Sequence, residues 1–507
     1  MLVNRGNLLL AFSPGTGKTP TALAAAEHLM EEGYVSLCLV ICPAALKYQW
    51  EERIKEFTDT EVLTIDGDKK KRTEQYTSVW ASPLKLDARL NQHYMIISYD
   101  YVLTDEEMIP RPDMVILDEA SAIKSFRTQR SKKIKKLFRD VPYKLALTAT
   151  PIENKPDELF SIMQFVDPTV LGRYDLFDKA YITRHKNGWA TSYKNLDVLN
   201  QRLGEAMIRK TRHDADVKDY MPDVDTQDWT VPMTDDVAKV YSLIAQDMLI
   251  ELGNIETFRE VSLSKYYNGV DESSPPGRLM AMHMCLEMLL CHPALLEWSA
   301  ANYLSDRPEG SEYAYLLQQS GDIDHLPLSD SPKLAYLREK LTPILANPDS
   351  KVLIYSKYKY MLEILRSRLA WDSVLFTGDM SAKEKNAAKN KFAEDADIRL
   401  FLSSYAGGYG LDMNMADYLI NYDHPWSFGA QDQINSRHVR ASSVFDKVYV
   451  RNLIVQGSIE ERKLRTLARK KRMSELAIDG IDPGPDPFGA SVSLDADFLR
   501  THLQSKI

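Results

Sequence analysis

The stretch Leu8-Leu9-Leu10-Ala11-Phe12-Ser13-Pro14-Gly15-Thr16-Gly17-Lys18-Thr19 decides how this chain is read. An apolar run enters a glycine-containing loop, and an alanine-rich segment from Thr21 to Glu27 follows. The order is strand, phosphate loop, helix. Glycines let the backbone N–H groups of such a loop approach a polyphosphate, with the helix N-terminus behind them. Gly15, Thr16 and Gly17 form that cradle, Lys18 reaches the β- and γ-phosphates, and the Thr19 hydroxyl is placed for Mg2+. Pro20 suits the first helical turn, and Gly33 stands where the helix should end. Phe12 occupies the place of the first Gly in G-x-x-x-x-G-K-[ST], so only Gly15-x-Gly17-Lys18-Thr19 of that pattern is present. A nucleoside triphosphate site is expected.

Outward from this loop, short apolar runs alternate with amphipathic segments: Leu37–Cys42, Tyr94–Ser98, Met114–Leu117 and Lys144–Leu147. Near-continuous β-rich runs spaced by helices read as a parallel sheet covered on both faces. This assigns residues 1–170 to a first α/β lobe. Residues 171–330 read as a mostly helical block, with helical periodicity over Val237–Leu252 and Leu279–Leu296. Alternation resumes at Val352–Tyr355, Val374–Phe376, Leu400–Leu402, Tyr418–Asn421 and Val448–Leu453, with helices over Tyr358–Leu369 and Lys383–Ala393. Residues 331–478 therefore form a second α/β lobe ending in a basic helix, Ile459–Met473, and residues 479–507 are a linker-like tail.

The 507 residues leave room for several domains, and 44% hydrophobic with 27% charged residues is ordinary for a soluble globular protein. No apolar run reaches transmembrane length and no signal-peptide pattern opens the chain, so a cytoplasmic, DNA-associated protein is expected. Four cysteines, all in apolar contexts, suggest neither a disulfide framework nor a zinc site. The net charge of −9 argues against a nucleic-acid partner, but two segments are strongly basic, Lys124–Arg139 and Arg462–Arg472. Such runs are either solvated helix faces or local cationic tracks for phosphates.

Three further motifs carry chemistry. Met114–Leu117 is an apolar strand that ends in Asp118-Glu119. An ATPase needs one carboxylate for the Mg2+ shell and one to orient the attacking water; Asp118 suits the first role and Glu119 the second. Leu145–Leu147 ends in Thr148-Ala149-Thr150-Pro151, whose hydroxyls are candidates for contacting the acidic pair. Gln433-Ile434-Asn435-Ser436-Arg437-His438-Val439-Arg440 spaces two arginines three apart, as on one helix face. From an opposing lobe they would neutralise charge on a transferring phosphoryl group.

Taken in order, Gly15–Thr19, Ile41-Cys42-Pro43, Asp118-Glu119-Ala120-Ser121, Thr148–Pro151, Ala406–Leu411 and Gln433–Arg440 resemble the motifs of superfamily 2 helicases. Cys42–Leu46 followed by Trp50, Leu145–Pro168, Arg209–Arg212, Cys291-His292-Pro293 and Gly457–Arg462 are more closely similar to the Swi/Snf-type DNA translocases. The resemblance implies two RecA-like lobes with helical insertions and ATP with Mg2+ in the cleft between them. It implies catalytic roles for Lys18, Asp118, Glu119, Gln433, Arg437 and Arg440, with Thr19 and Asp118 toward the metal. Gly410 and Asp412 join Gly15–Thr19 at the nucleotide, and Pro43, Thr148, Thr150, Ser403, Gly407 and Gly408 would touch DNA, largely independently of sequence. The implied function is ATP-driven translocation on mainly duplex DNA, with protein partners docking on the helical block. A strand-separating DNA or RNA helicase would use the same parts, whereas a single-lobe P-loop kinase would need no second lobe. Asp412 and Ser436 replace the family's usual Asn and Gly, and the upstream glutamine motif that reads adenine has no counterpart in Met1–Asn7.

Overall fold

The computed structural model describes residues 2–81, 92–184, 190–253, 272–305, 307, 310–405, 413–440 and 443–481. The first lobe is built on β1 (Asn7–Phe12), β2 (Leu37–Cys42), β3 (Glu61–Thr64), β4 (His93–Ser98), β5 (Met114–Leu117) and β6 (Tyr143–Thr148). A short antiparallel pair, β7 (Ile182–Arg184) and β8 (Ala190–Tyr193), precedes β9 (Met207–Lys210). The lobe's sheet is parallel throughout, in the order β3-β4-β2-β5-β6-β1-β9. Its central strands are apolar at nearly every position because helices cover both faces, and two separate hydrophobic clusters lie on those faces.

The second sheet joins β10 (Asp223–Val231), β11 (Val352–Ser356), β12 (Ser373–Phe376), β13 (Leu400–Ser404), β14 (Tyr418–Asn421) and β15 (Lys447–Val455). It too is parallel, in the order β10-β15-β14-β11-β13-β12. The expected α/β class with two parallel-sheet lobes is therefore present.

The block expected to be mostly helical, 171–330, is more mixed. Its β9 completes the first sheet beside β1, and its β10 opens the second beside β15. Both are edge strands, and β10 carries Asp223, Asp225, Gln227 and Asp228 in place of an apolar run. Edge strands tolerate such polar residues, and that polarity hides them in the sequence. The block's helices Asp235–Gly253, Pro275–Cys291 and Ala294–Leu304 share one core with β11, β13 and β14, so they pack on the second lobe.

The basic helix Ile459–Ser474 crosses back to the first lobe. Its terminal turn, Glu475–Asp479, buries Ala477 and Ile478 in the first lobe's core. Asn200 Nδ2 donates to the Ile478 carbonyl at 2.7 Å, and Arg209 pairs with Asp479 at 2.5 Å. Two cations of this run are buried: Lys463 pairs with Glu287 of the helical block, and Lys470 donates to Asn154 Oδ1. Trp426 packs beside His283 and beneath Lys463.

The other basic run is also partly engaged. Lys124 pairs with Glu153, Arg130 with Asp100 and Lys133 with Glu106, while Arg127, Lys132, Lys136 and Arg139 stay exposed. Lys135 donates to Ser161 Oγ at 2.7 Å, and burial holds its ammonium down to about 7. The folded chain therefore binds this proton less tightly than the unfolded chain. Stability from this group rises as pH increases from about 7 toward the ordinary lysine range. Lys135→Met is expected to flatten that rise and to be more stable than wild type near neutral pH, as read from urea midpoints. A variant with unchanged pH dependence would contradict the assignment.

Candidate active site

Every predicted first-lobe group lies at the carboxyl end of a strand. After β1 the chain turns through Gly15 and Gly17, whose φ values of 80° and 93° belong to the left-handed region that glycine alone enters cheaply. The helix Lys18–Glu31 then begins without a side-chain cap, so its first N–H groups are free of capping oxygens. Lys18 Nζ donates to the Phe12 carbonyl at 2.9 Å. Burial lowers its pKa, and the nearby Glu119 and Asp118 carboxylates oppose that effect.

The end of β5 places the acidic pair. Trp50, buried on the helix Lys47–Phe57, donates its indole N–H to Asp118 Oδ2 at 2.7 Å. The Glu119 N–H donates to Asp118 Oδ1 at 3.0 Å, and the Tyr99 hydroxyl to the Asp118 carbonyl at 2.8 Å. Burial raises the pKa of Asp118. Burial, then the charge of Asp118, pushes the Glu119 carboxyl up to about 7. Glu119 has a left-handed backbone, φ 50°, ψ 57°, which costs about 1–2 kcal/mol for a residue with a Cβ.

The second lobe supplies the opposing wall. Ser427 caps the helix Phe428–Asn435, and Gln433 on it donates from Nε2 to Glu119 Oε2 at 3.3 Å. Arg437 is nearly buried and close enough for its charge to bear on Glu119, as the charge of Arg440 bears on Lys18. A Cβ on Gly15 would lie 3.2 Å from the Val439 carbonyl and 3.3 Å from Arg440 Cδ. Six predicted groups, Lys18, Asp118, Glu119, Gln433, Arg437 and Arg440, thus line one cleft.

Several expectations are corrected. The two arginines do not share a helix face, because the helix stops at Asn435. The Ser436 hydroxyl donates to the Asp432 carbonyl, Met413 N–H takes the Arg437 carbonyl, and Arg440 Nη1 takes those of Ser436 and Val439. Three residues expected at DNA are buried: Thr148 and Ser403 at 0% exposed and Thr150 at 4%. Thr148 Oγ1 accepts from the Thr150 N–H, and Ser403 Oγ donates to the Ser404 carbonyl, so these hydroxyls serve their own strand ends. Pro43 stays half-exposed after β2. Gly407, Gly408, Gly410 and Asp412 lie outside the described residues.

Sequence reasoning gave Trp50 no role at the acidic pair and missed Tyr99. The bond from Trp50 to Asp118 spans 68 residues of chain and has no local signal. Trp50→Phe strands a buried carboxylate oxygen, so it is expected to destabilise the fold by about 1.5–3 kcal/mol in urea unfolding. A loss below about 0.5 kcal/mol would show that Asp118 finds its partner elsewhere.

The cleft suits a Mg2+–nucleotide. An uncapped helix N-terminus and the Lys18 ammonium suit an anion, and the carboxylates of the buried Asp118 and half-buried Glu119 beside them suit a cation. Thr19 and Asp118 are the residues that would hold the metal.

Comparison with known proteins agrees with this architecture. The SNF2-related domain matches residues 2–295, and the helicase conserved C-terminal domain matches residues 332–442. A putative ATP-dependent helicase/translocase of Bacillus subtilis, YwqA, is 24% identical over 92% of this chain and 46% of its own length. The uncharacterized ATP-dependent helicase YqhH of the same organism is 22% identical, over 94% of this chain and 77% of its own. The ISWI chromatin-remodeling complex ATPase ISW2 of Saccharomyces cerevisiae is 24% identical, over 94% and 39%. The chain thus spans less than half of the first and third of these relatives. The Hef helicase domain of Pyrococcus furiosus shares the fold, with a TM-score of 0.53 at 16% identity, covering 91% of this chain and 94% of that one. With the SNF2-related domain matched over more than half its length, and the helicase C-terminal domain behind it, the chain belongs to the SNF2-related family.

Proposed function

We propose that this chain hydrolyses ATP and uses the cycle to translocate along duplex DNA, remodelling DNA or DNA–protein complexes. The observation that carries this reading is the composite cleft, in which Gln433 reaches Glu119 and Arg440 lies against the phosphate loop at Gly15. Neither lobe alone assembles these groups. The relatives' names, ATP-dependent helicase/translocase and remodelling ATPase, support the same activity.

In this reading Lys18 and the N–H groups of Gly15–Thr19 bind the β- and γ-phosphates. Glu119 orients the attacking water and takes its proton; a carboxyl poised near neutrality suits that task. Arg437 and Arg440 offset charge on the transferring phosphoryl group. Mg2+, which Thr19 and Asp118 would hold, would supply further neutralisation of phosphate charge. Burial and the neighbouring charge of Asp118 together take Glu119 out of the strongly acidic range, and the charge of Arg437 from the second lobe opposes them.

Lys18→Ala is expected to weaken nucleotide binding and abolish turnover, while Glu119→Gln abolishes turnover and still binds ATP. Equal loss of ATP affinity in both would overturn the assigned roles. Arg440→Ala should lower kcat by about a hundredfold or more with nucleotide binding nearly intact, and Arg440→Lys should not rescue it, lacking the planar fork. Turnover near wild type in either variant would remove Arg440 from the mechanism.

The DNA substrate rests on charge and on the shape of the second lobe. Arg127, Lys132, Lys136 and Arg139 are exposed cations close in sequence on a protein of net charge −9. Phosphate contacts there would make binding sequence-independent and salt-sensitive. ATP turnover is expected to rise with duplex DNA and to fall steeply with salt. Charge reversal at Lys132 and Lys136 should shallow the salt slope; an unchanged slope would place DNA elsewhere.

Among the described residues from 413 to 433 there is one strand, β14, and the start of one helix, with no hairpin to split base pairs. Trp426 is packed inside and is no stacking platform. Translocation without strand separation is therefore expected: displacement of a third strand from a triplex, with little unwinding of a forked duplex. Efficient fork unwinding without triplex displacement would favour a strand-separating helicase.

A further inference from the structure

Away from the catalytic groups, the lobes touch at a place that leaves no room for a side chain. The Ser427 hydroxyl accepts the Ala430 N–H to cap its helix and donates to Glu153 Oε2 of the first lobe at 3.1 Å. Glu153 is nearly buried and is pinned from the other side. Lys124 pairs with the same oxygen, and the N–H groups of Glu153 and Asn154 donate to Glu158 Oε2 at 2.7 and 2.8 Å. Gly429 faces this carboxylate. A Cβ on Gly429 would stand 2.4 Å from Glu153 Cγ, 3.0 Å from its Cδ and 3.0 Å from Thr150 Oγ1. Gly429 is not among the residues with positive φ, so its backbone admits alanine and only the neighbouring lobe excludes it.

We infer that Gly429 is a positioning residue that sets how far the two lobes close. Its missing Cβ lets the Ser427–Gly429 turn seat on Glu153. Gly429 and Gln433 lie four apart on one helix, hence on one face, so this seat indexes Gln433 against Glu119. Lys470 braces the seat, donating to Asn154 Oδ1 on one lobe and to the Trp426 carbonyl on the other, both at 2.8 Å. An added methyl group must either lift the second-lobe helix or break the ion pair and the hydroxyl bond that hold Glu153. Lifting the helix displaces Gln433 from Glu119 and carries Arg437 and Arg440 with it. The role in turnover rests on the proposed ATPase reading; the steric seat itself does not.

The test compares wild type, Gly429→Ala, Glu153→Ala and the double variant in the full chain. Turnover with duplex DNA is measured beside energy transfer between dyes at Glu32→Cys and Lys391→Cys, with and without adenylyl imidodiphosphate. The four native cysteines are buried, so labelling is confined to the introduced sites. Gly429→Ala is expected to lower kcat about tenfold or more with KM for ATP within about twofold, because ATP binds mainly to the first lobe while the second is misplaced. The analogue-driven change in transfer should shrink in parallel. Removing the Glu153 side chain should relieve most of the Gly429→Ala penalty, a rescue that general damage to the helix would not show. Alanine is the better helix former, which offsets part of the cost of the crowded seat. Wild-type turnover and closure in Gly429→Ala, or the same penalty with and without the Glu153 side chain, would overturn the inference. A wild type that hydrolyses no ATP would overturn the functional reading instead, and the energy-transfer arm would then decide the seat alone.

Discussion

Three ionisable groups, the buried Asp118 and the half-buried Lys18 and Glu119, lie together at the carboxyl edge of one parallel sheet, and the rest of the structure depends on keeping them there. Charges out of water are costly unless they meet each other or fixed donors. Here the ammonium donates to the Phe12 carbonyl and feels the charges of both carboxylates, Trp50 and the Glu119 backbone hold Asp118, and Gln433 reaches Glu119 from across the cleft. Burial first, and then the charge of Asp118, moves Glu119 toward neutrality. The second lobe contributes Gln433 to Glu119 by a hydrogen bond and Arg437 by its charge.

The second lobe is held by contacts that run through the whole chain. The helical block shares a core with the second sheet, and its buried Glu287 takes both Lys357 and Lys463. Lys333 pairs with Glu460 in the same interior. From Lys463 the final helix runs on to Lys470 at the lobe junction, and its terminal turn is buried in the first lobe. One helix therefore touches the block, the second lobe and the first. A movement that opens the cleft must slide along this helix or strain it. Parting these buried ion pairs would leave charges unpaired in the interior, which is costly.

How much of this was legible in the sequence follows from burial. β1, β2, β5 and β14 were plain as apolar runs because helices cover both their faces. β9 and β10 were missed because an edge strand keeps one side in water, and Asp223–Val231 reads as a polar loop. The first-lobe candidates Lys18, Asp118 and Glu119 could be named because each follows a strand end in a recognisable order. Their support could not: Trp50 and Tyr99 meet Asp118 through contacts distant in sequence. The end of the helix at Asn435 was hidden for a related reason, since side-chain and tertiary bonds at Ser436, Arg437 and Arg440 override local periodicity. Thr148 and Ser403 show the converse, hydroxyls at suggestive positions that their own strands consume.

The central claim is that one catalytic centre is shared between the lobes. It is tested most directly by the structure of the full chain bound to Mg2+ and a non-hydrolysable ATP analogue. The account predicts the γ-phosphate between Lys18 on one side and the Arg437 and Arg440 guanidinium groups on the other, with Gln433 still on Glu119. A nucleotide held by the first lobe alone, with both arginines turned away and Glu119 open to solvent, would contradict it.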